Sequence, residues 1–215
     1  MIDEISPWYP VALGVDVPVG VTRAVMLDQK EVVLWRGADG QIHAWDDRCP
    51  HRGMRLSYGF IRGNSLNCLY HGWEYEGSSR CVRIPAHPDL EVPKTIKATA
   101  YSMHEAGGLI WTNVAADASD PPAIPEAAPL LSTAVDKPIA ALRDFLRATS
   151  THPVVIREDL VDGVSLLLAM HPTAENRTML HALSIGGSDS AVDRKRYALA
   201  IRQLRREAEA LVEAA

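Results

Sequence analysis

Cys49-Pro50-His51, sixteen residues (RGMRLSYGFIRGNSLN), then Cys68-Leu69-Tyr70-His71: this stretch decides how the chain reads. Each short cluster carries one thiol and one imidazole, as C-x-H in the first and C-x-x-H in the second. The segment between them contains Gly53, Gly59 and Gly63, with Gly63-Asn64 as a turn pair. That is the composition of a hairpin that brings the chain back to where it started. Two loop tips facing each other follow, each offering one sulfur and one nitrogen donor.

Two chemistries use two Cys and two His. A structural zinc ion takes all four tetrahedrally, and its motifs usually keep the two Cys in one half and the two His in the other. A Rieske [2Fe–2S] cluster instead puts both thiolates on one iron and both imidazoles on the other. The mixed order here favours the cluster, with zinc as the alternative.

The residues around the ligands carry a resemblance. Cys49-Pro50-His51-Arg52-Gly53, Cys68-Leu69-Tyr70-His71-Gly72-Trp73 and Cys81-Val82-Arg83-Ile84-Pro85-Ala86 resemble the N-terminal domain of Rieske non-haem iron oxygenases. Those are the large subunits of ring-hydroxylating dioxygenases and of demethylating monooxygenases. Trp8-Tyr9-Pro10-Val11-Ala12 at the domain opening and Asp46-Asp47-Arg48 before the first ligand loop fit as well. The resemblance covers about residues 7–115. It implies one [2Fe–2S] cluster held by Cys49, His51, Cys68 and His71. Arg52, Tyr70 and Trp73 are expected to pack around the loops, and Tyr75 to be a hydrogen-bonding neighbour of a ligand Cys. The respiratory branch of the class has an extra Cys in each loop and a Ser two residues after the second His. Here Tyr70 and Trp73 occupy the second-loop positions, so both the disulfide and the hydroxyl donor are missing. Fewer donors to the sulfurs lower the potential, to an expected value of about −150 mV.

Bulk properties fit an intracellular redox protein. The chain has 215 residues and a net charge of −5, which does not suit nucleic acid. No run of about eighteen apolar residues offers a membrane span, and the acidic opening MIDEIS does not read as a signal peptide. The expected location is the cytoplasm. Of three Cys, Cys81 is left over and reads as a buried structural thiol.

Along the chain, residues 7–115 read as many short strands, with Asp39-Gly40 as a hairpin turn between two apolar runs. The expected fold is mainly β: a Rieske-type antiparallel sandwich or barrel, then a C-terminal α+β part. Residues 116–129, rich in Ala, Asp and Pro, read as a linker or extended crossing segment. In residues 130–215, Asp162-Gly163 separates strands Pro153–Val161 and Val164–Met170, and Arg177–Ile185 adds a third. Val164, Leu166, Leu168 and Met170 share one face. Ser190, with Asp193 three residues on, starts a helix whose stripe is Tyr197, Ile201, Leu204, Ala208 and Leu211.

A complete oxygenase of this family also holds a mononuclear Fe(II) on two His and a carboxylate. No D/E-x-x-H-x-x-x-x-H pattern follows residue 115, so residues 130–215 read as a truncated catalytic-like domain. No mononuclear Fe(II) and no catalytic residue are expected. His152, His171 and His181 with Glu158, Asp159 and Asp162 are the remaining candidates for such a site, and His43, His87 and His104 read as ordinary residues. One-electron transfer through the cluster is therefore the expected function, with a flavin- or ferredoxin-type reductase as donor. An oxygenase partner or a homo-oligomer would complete the system. The alternatives are a true mono- or dioxygenase with an unconventional iron site, and an accessory subunit with a structural or sensing cluster.

Overall fold

A computed structural model of the chain describes residues 8–115, 120, 123–148, 153–161, 163–187 and 190–210, apart from the side chain of Asp159. MIDEIS, most of the segment 116–122, His152, Asp162 and Leu211 lie outside the described residues. The first half contains β1 (Trp8–Leu13), β2 (Thr22–Leu27), β3 (Lys30–Arg36), β4 (Ile42–Asp46) and β5 (Phe60–Arg62). It continues with β6 (Ser65–Asn67), β7 (Glu74–Glu76), β8 (Cys81–Arg83), β9 (Ala100–Ala106) and β10 (Leu109–Asn113). Six of them form an antiparallel sheet in the order β1-β10-β9-β4-β3-β2, curled until its edges β1 and β2 meet in a near-barrel. The short strands β5-β6-β7-β8 make a second sheet.

Strand β3 explains how the two sheets hold together. Its side chains alternate between faces, and both faces are apolar. Val32 and Leu34 enter the core inside the curled sheet. Val33 and Trp35 enter a second core with Trp45, Leu66 and Tyr75, which also contains Cys49 and Cys68. The two Cys/His loops thus stand on packed aromatic side chains. The Asp39-Gly40 turn closes the β3–β4 hairpin, with Arg36 paired to Ile42.

The second half contains β11 (Ala128–Val135), α1 (Ile139–Phe145), β12 (Val154–Val161), β13 (Val164–Ala174), β14 (Arg177–Ile185) and α2 (Ala191–Ala210). Its sheet is antiparallel, in the order β11-β14-β13-β12. Strand β13 repeats the two-faced logic of β3. Leu166, Leu168 and Met170 pack under Tyr197, Ile201, Leu204 and Ala208 of α2 and Leu142 of α1. Leu167 and Ala169 point the other way, into a core shared with Trp8, Leu13, Leu109 and Trp111 of the first half. Ser190 caps α2, its Oγ accepting from the Asp193 N–H at 3.2 Å.

Three features depart from the expectation. The extended crossing segment ends earlier, because Ala128 already belongs to β11. The second sheet has a fourth strand, β11, and a short helix, α1, neither of which was expected. Residues 123–127 lie outside helix and strand, with Ile124 and Ala127 against the shared core.

Candidate metal centre

The two ligand loops are built alike. In the first, the Cys49 N–H donates to Met54 O and the Gly53 N–H to Cys49 O, both at 2.8 Å. In the second, the Cys68 N–H donates to Trp73 O and the Gly72 N–H to Cys68 O, both at 2.9 Å. Gly53 and Gly72 close the turns at φ +70° and +69°, where an L side chain would be strained. In each loop the sulfur accepts from the N–H groups two and three residues on: His51 and Arg52 for Cys49, Tyr70 and His71 for Cys68. The loops differ in where the imidazole stands, at the second position in one and the third in the other.

The side chains form two layers. Cys49 and Cys68 are 3 % and 2 % exposed and lie within hydrogen-bonding reach of each other. Above them the rings of His51 and His71 sit with centroids 4.6 Å apart, His51 half-buried and His71 exposed. Trp73 stacks flat on His51 at 4.2 Å and 6°, and Tyr70 leans on His71 at 3.8 Å. Tyr70 is itself 56 % exposed. The Arg52 side chain is exposed as well, and its backbone N–H donates to Cys49 Sγ. Tyr75, fully buried, places its hydroxyl 3.1 Å from Cys49 Sγ.

Electrostatics favour one negative sulfur here. The Cys49 thiol is held down to about 5 by the hydrogen bond from Cys68, helped by the Tyr75 hydroxyl and the backbone N–H groups and opposed by burial. Cys68 is pushed up by the same shared proton and by burial, and burial followed by the bond to Cys49 raises Tyr75. Two buried sulfurs that share one proton among four backbone donors and a hydroxyl suit a metal centre that takes both as thiolates. Among the described residues no three His, Cys, Asp or Glu side chains converge on one metal position. A cluster that spreads four ligands over two irons does not require such a convergence. The donor set therefore fits a [2Fe–2S] cluster.

Two supporting carboxylates were not anticipated. Buried Asp47 accepts from the Ser57 N–H and Oγ, both at 2.6 Å, tying the two ends of the first loop together. Glu31 on β3 pairs with Arg48 at 2.6 Å and with Arg55, one residue beyond each end of the Cys49–Met54 turn. The flanking arginines were the only sequence signal, and their acid lies far away in the chain. Cys81 is buried, its thiol pushed up by burial. His43 stacks on Trp35 at 4.2 Å, while His87 and His104 are exposed. Of the candidates for a second iron, His171 and His181 do meet, Nδ1 to Nε2 at 3.3 Å. Glu158 is exposed.

Fold and loops together define a Rieske protein, and comparison with known proteins agrees. Residues 7–95 match the Rieske [2Fe–2S] domain. The chain is a relative of the Rieske oxygenases. It is 35 % identical over 173 residues to "Oxidoreductase NdmD" of Pseudomonas putida, covering 80 % of this chain and 27 % of that protein. That match is too long to be confined to the first half. It is also 32 % identical over 123 residues to the phthalate 4,5-dioxygenase oxygenase subunit of Pseudomonas putida, covering 56 % of this chain and 28 % of the relative. The chain thus spans about a quarter of the length of these curated relatives. Among solved structures, apo dicamba monooxygenase superposes with a TM-score of 0.75 at 21 % identity, over 94 % of this chain and 85 % of its own. Pseudomonas putida NdmA gives 0.73 at 19 %, over 97 % and 82 %. At such identity these superpositions establish the fold alone. Among the described residues no helix is long and apolar enough to cross a membrane.

Proposed function

We propose that the chain is a one-electron carrier: a Rieske oxidoreductase of oxygenase ancestry with a single low-potential cluster and no mononuclear iron of its own. Cys49 and Cys68 hold one iron, and His51 and His71 hold the other. The observation that carries this reading is the exposure gradient across the four side chains, with both thiols buried and His71 at the surface. The bound cluster supplies one-electron storage at about −150 mV. This chain's residues do the rest. Tyr75 and the backbone N–H groups hold negative charge on the sulfurs, Trp73 fixes the His51 ring, and His71 offers the route in and out. A flavin- or ferredoxin-type reductase suits the donor side, and an oxygenase or a second copy of the chain suits the acceptor side. The printed name "Oxidoreductase" of the relative that matches into the second half supports the same role.

A second reading, an oxygenase with its own Fe(II), is favoured by the 32 % identity to the phthalate 4,5-dioxygenase oxygenase subunit. Iron and acid-labile sulfide per chain, with EPR of the dithionite-reduced protein, separate the two. Two irons and two sulfides with a rhombic Rieske signal support the carrier. A third iron that binds nitric oxide as Fe(II) supports the oxygenase and sinks the carrier reading.

A further inference from the structure

Where β2 of the first half faces β13 and β14 of the second, there is a cavity of about 520 Å³. That volume lies within the ~300–1,000 Å³ range of ordinary small-molecule sites. Val25 and Met179 give it apolar walls; Arg23, Arg177, Ser132 and the His171–His181 pair are among its polar groups, and among the described residues no carboxylate lines it.

The inner end of the cavity carries a hydrogen-bonded chain of side chains. A bulge between Pro10 and Ala12 interrupts the β1–β10 register, and the Pro10 carbonyl accepts from the buried histidines, with Met26 O as a further acceptor for His171. His171 Nδ1 and His181 Nε2 share a hydrogen bond at 3.3 Å, and His181 Nδ1 shares one with Ser132 Oγ at 2.8 Å. Burial disfavours charge on both rings, so this end of the cavity is polar but uncharged.

The charge comes from the arginines. Arg23 lies near enough for its charge to act on His181. Its pair with Asp16 is 3.5 Å long, and that of Arg177 with Asp136 is 3.4 Å, both between partly exposed side chains. Such long, solvent-screened pairs are weak, so neither holds its arginine away from a carboxylate ligand. An apolar wall and two arginines held only by weak, partly exposed pairs suit a ligand with an apolar body and a negative head.

We propose that this cavity binds a small carboxylic acid with an apolar body, its carboxylate taken by Arg23 and Arg177 and its body lying against Val25 and Met179. The site is separate from the ligand loops and does not depend on the electron-carrier reading. The test is calorimetric titration of the cluster-loaded full chain with 2-naphthoate, with 2-naphthamide as the neutral counterpart. Saturable binding of one acid per chain is expected, with the amide weaker by about tenfold or more. Arg23→Gln and Arg177→Gln each weaken the acid by about tenfold while leaving the visible spectrum of the cluster intact. These side chains are partly exposed, so both variants should fold. No saturable binding, equal binding of acid and amide, or arginine variants that bind as the parent does would each overturn the proposal.

Discussion

The molecule holds two pairs of histidines under opposite conditions. His51 and His71 stand 4.6 Å apart at loop tips, half-buried and exposed, above two buried thiols. His171 and His181 stand 5.3 Å apart on adjacent strands, fully buried, with Ser132 and backbone carbonyls for partners. Ring separation is therefore a poor guide to role. The loop pair presents its rings above sulfur donors, whereas the strand pair has spent its nitrogens on each other. Burial also sets charge: His171 is held down to about 4, chiefly by desolvation, and His181 lies well below the ordinary range for the same reason.

The sharpest break in the comparison is metal content. On the proposed reading His71→Ala removes one of the two imidazole ligands and should abolish the cluster, taking iron and sulfide per chain to near zero. His181→Ala should leave both unchanged. Loss of iron in the His181 variant, measured by metal analysis of the purified protein, would make the strand pair part of a metal site and merge the two classes.

The next effect is on stability. His171 has a folded pKa of about 4 against an ordinary 6.5. Between those values the unfolded chain takes up a proton that the folded chain refuses, so stability falls as the pH drops from 6.5 towards 4. The loss levels off below about 4. It amounts to about 3 kcal/mol for His171, from 1.36 kcal/mol per pH unit, and His181 adds to it in the same direction. Denaturant midpoints across this range should show the slope in the parent, and His171→Asn should flatten it. A parent whose midpoint does not change between pH 6.5 and 4 would contradict the burial of the pair.

The same contrast explains what could be read from sequence. The ligand loops are local: Cys, His and the closing Gly lie within five residues, and the hairpin between the loops is spelled by its glycines. Strands β12, β13 and β14 and helix α2 were legible because Asp162-Gly163 marks a turn and the apolar stripes keep their period. Strand β11 was not, since seven of its eight residues are only half-buried or exposed and show no alternation. Helix α1 starts from Pro138 without a side-chain cap and is too short for a stripe. The His171–His181 meeting depends on register: Met179 lies opposite His171, and His181 is the diagonal neighbour two residues on. The two-faced role of β13, like the cavity, exists only once the halves are docked.

Within the loop pair, the sulfurs can be probed without touching a ligand. Tyr75→Phe keeps the buried ring and removes the hydroxyl 3.1 Å from Cys49 Sγ. A hydrogen bond to sulfur favours the more negative, reduced state, so the potential should fall in the variant. A differential of about 1 kcal/mol corresponds to about 40 mV for one electron. Protein-film voltammetry reads this directly. An unchanged potential would mean that the hydroxyl does not reach the sulfur once iron is bound.

The smallest effect expected concerns Glu31, which separates the two loops despite their matching turns. Its carboxylate pins Arg48 and Arg55 on either side of the Cys49–Met54 turn, and no such clamp is described for the second loop. The arginines are 56 % and 38 % exposed, so solvent screens the pairs and Glu31→Gln should cost no more than about 1 kcal/mol. The substitution removes charge but keeps shape, so the fold should stand and the cluster should still assemble. Its mark should be kinetic: the first loop opens more often, and the cluster is lost a few times faster to a chelator such as EDTA, followed by bleaching of the visible spectrum. His51 belongs to that loop, so its ring should loosen first, while His71 on the unclamped loop should be unaffected. A cluster lost at the parent rate would leave Asp47 and the backbone bonds of the turn as sufficient to hold the first loop, and the two loops as equivalent in support as they are in backbone.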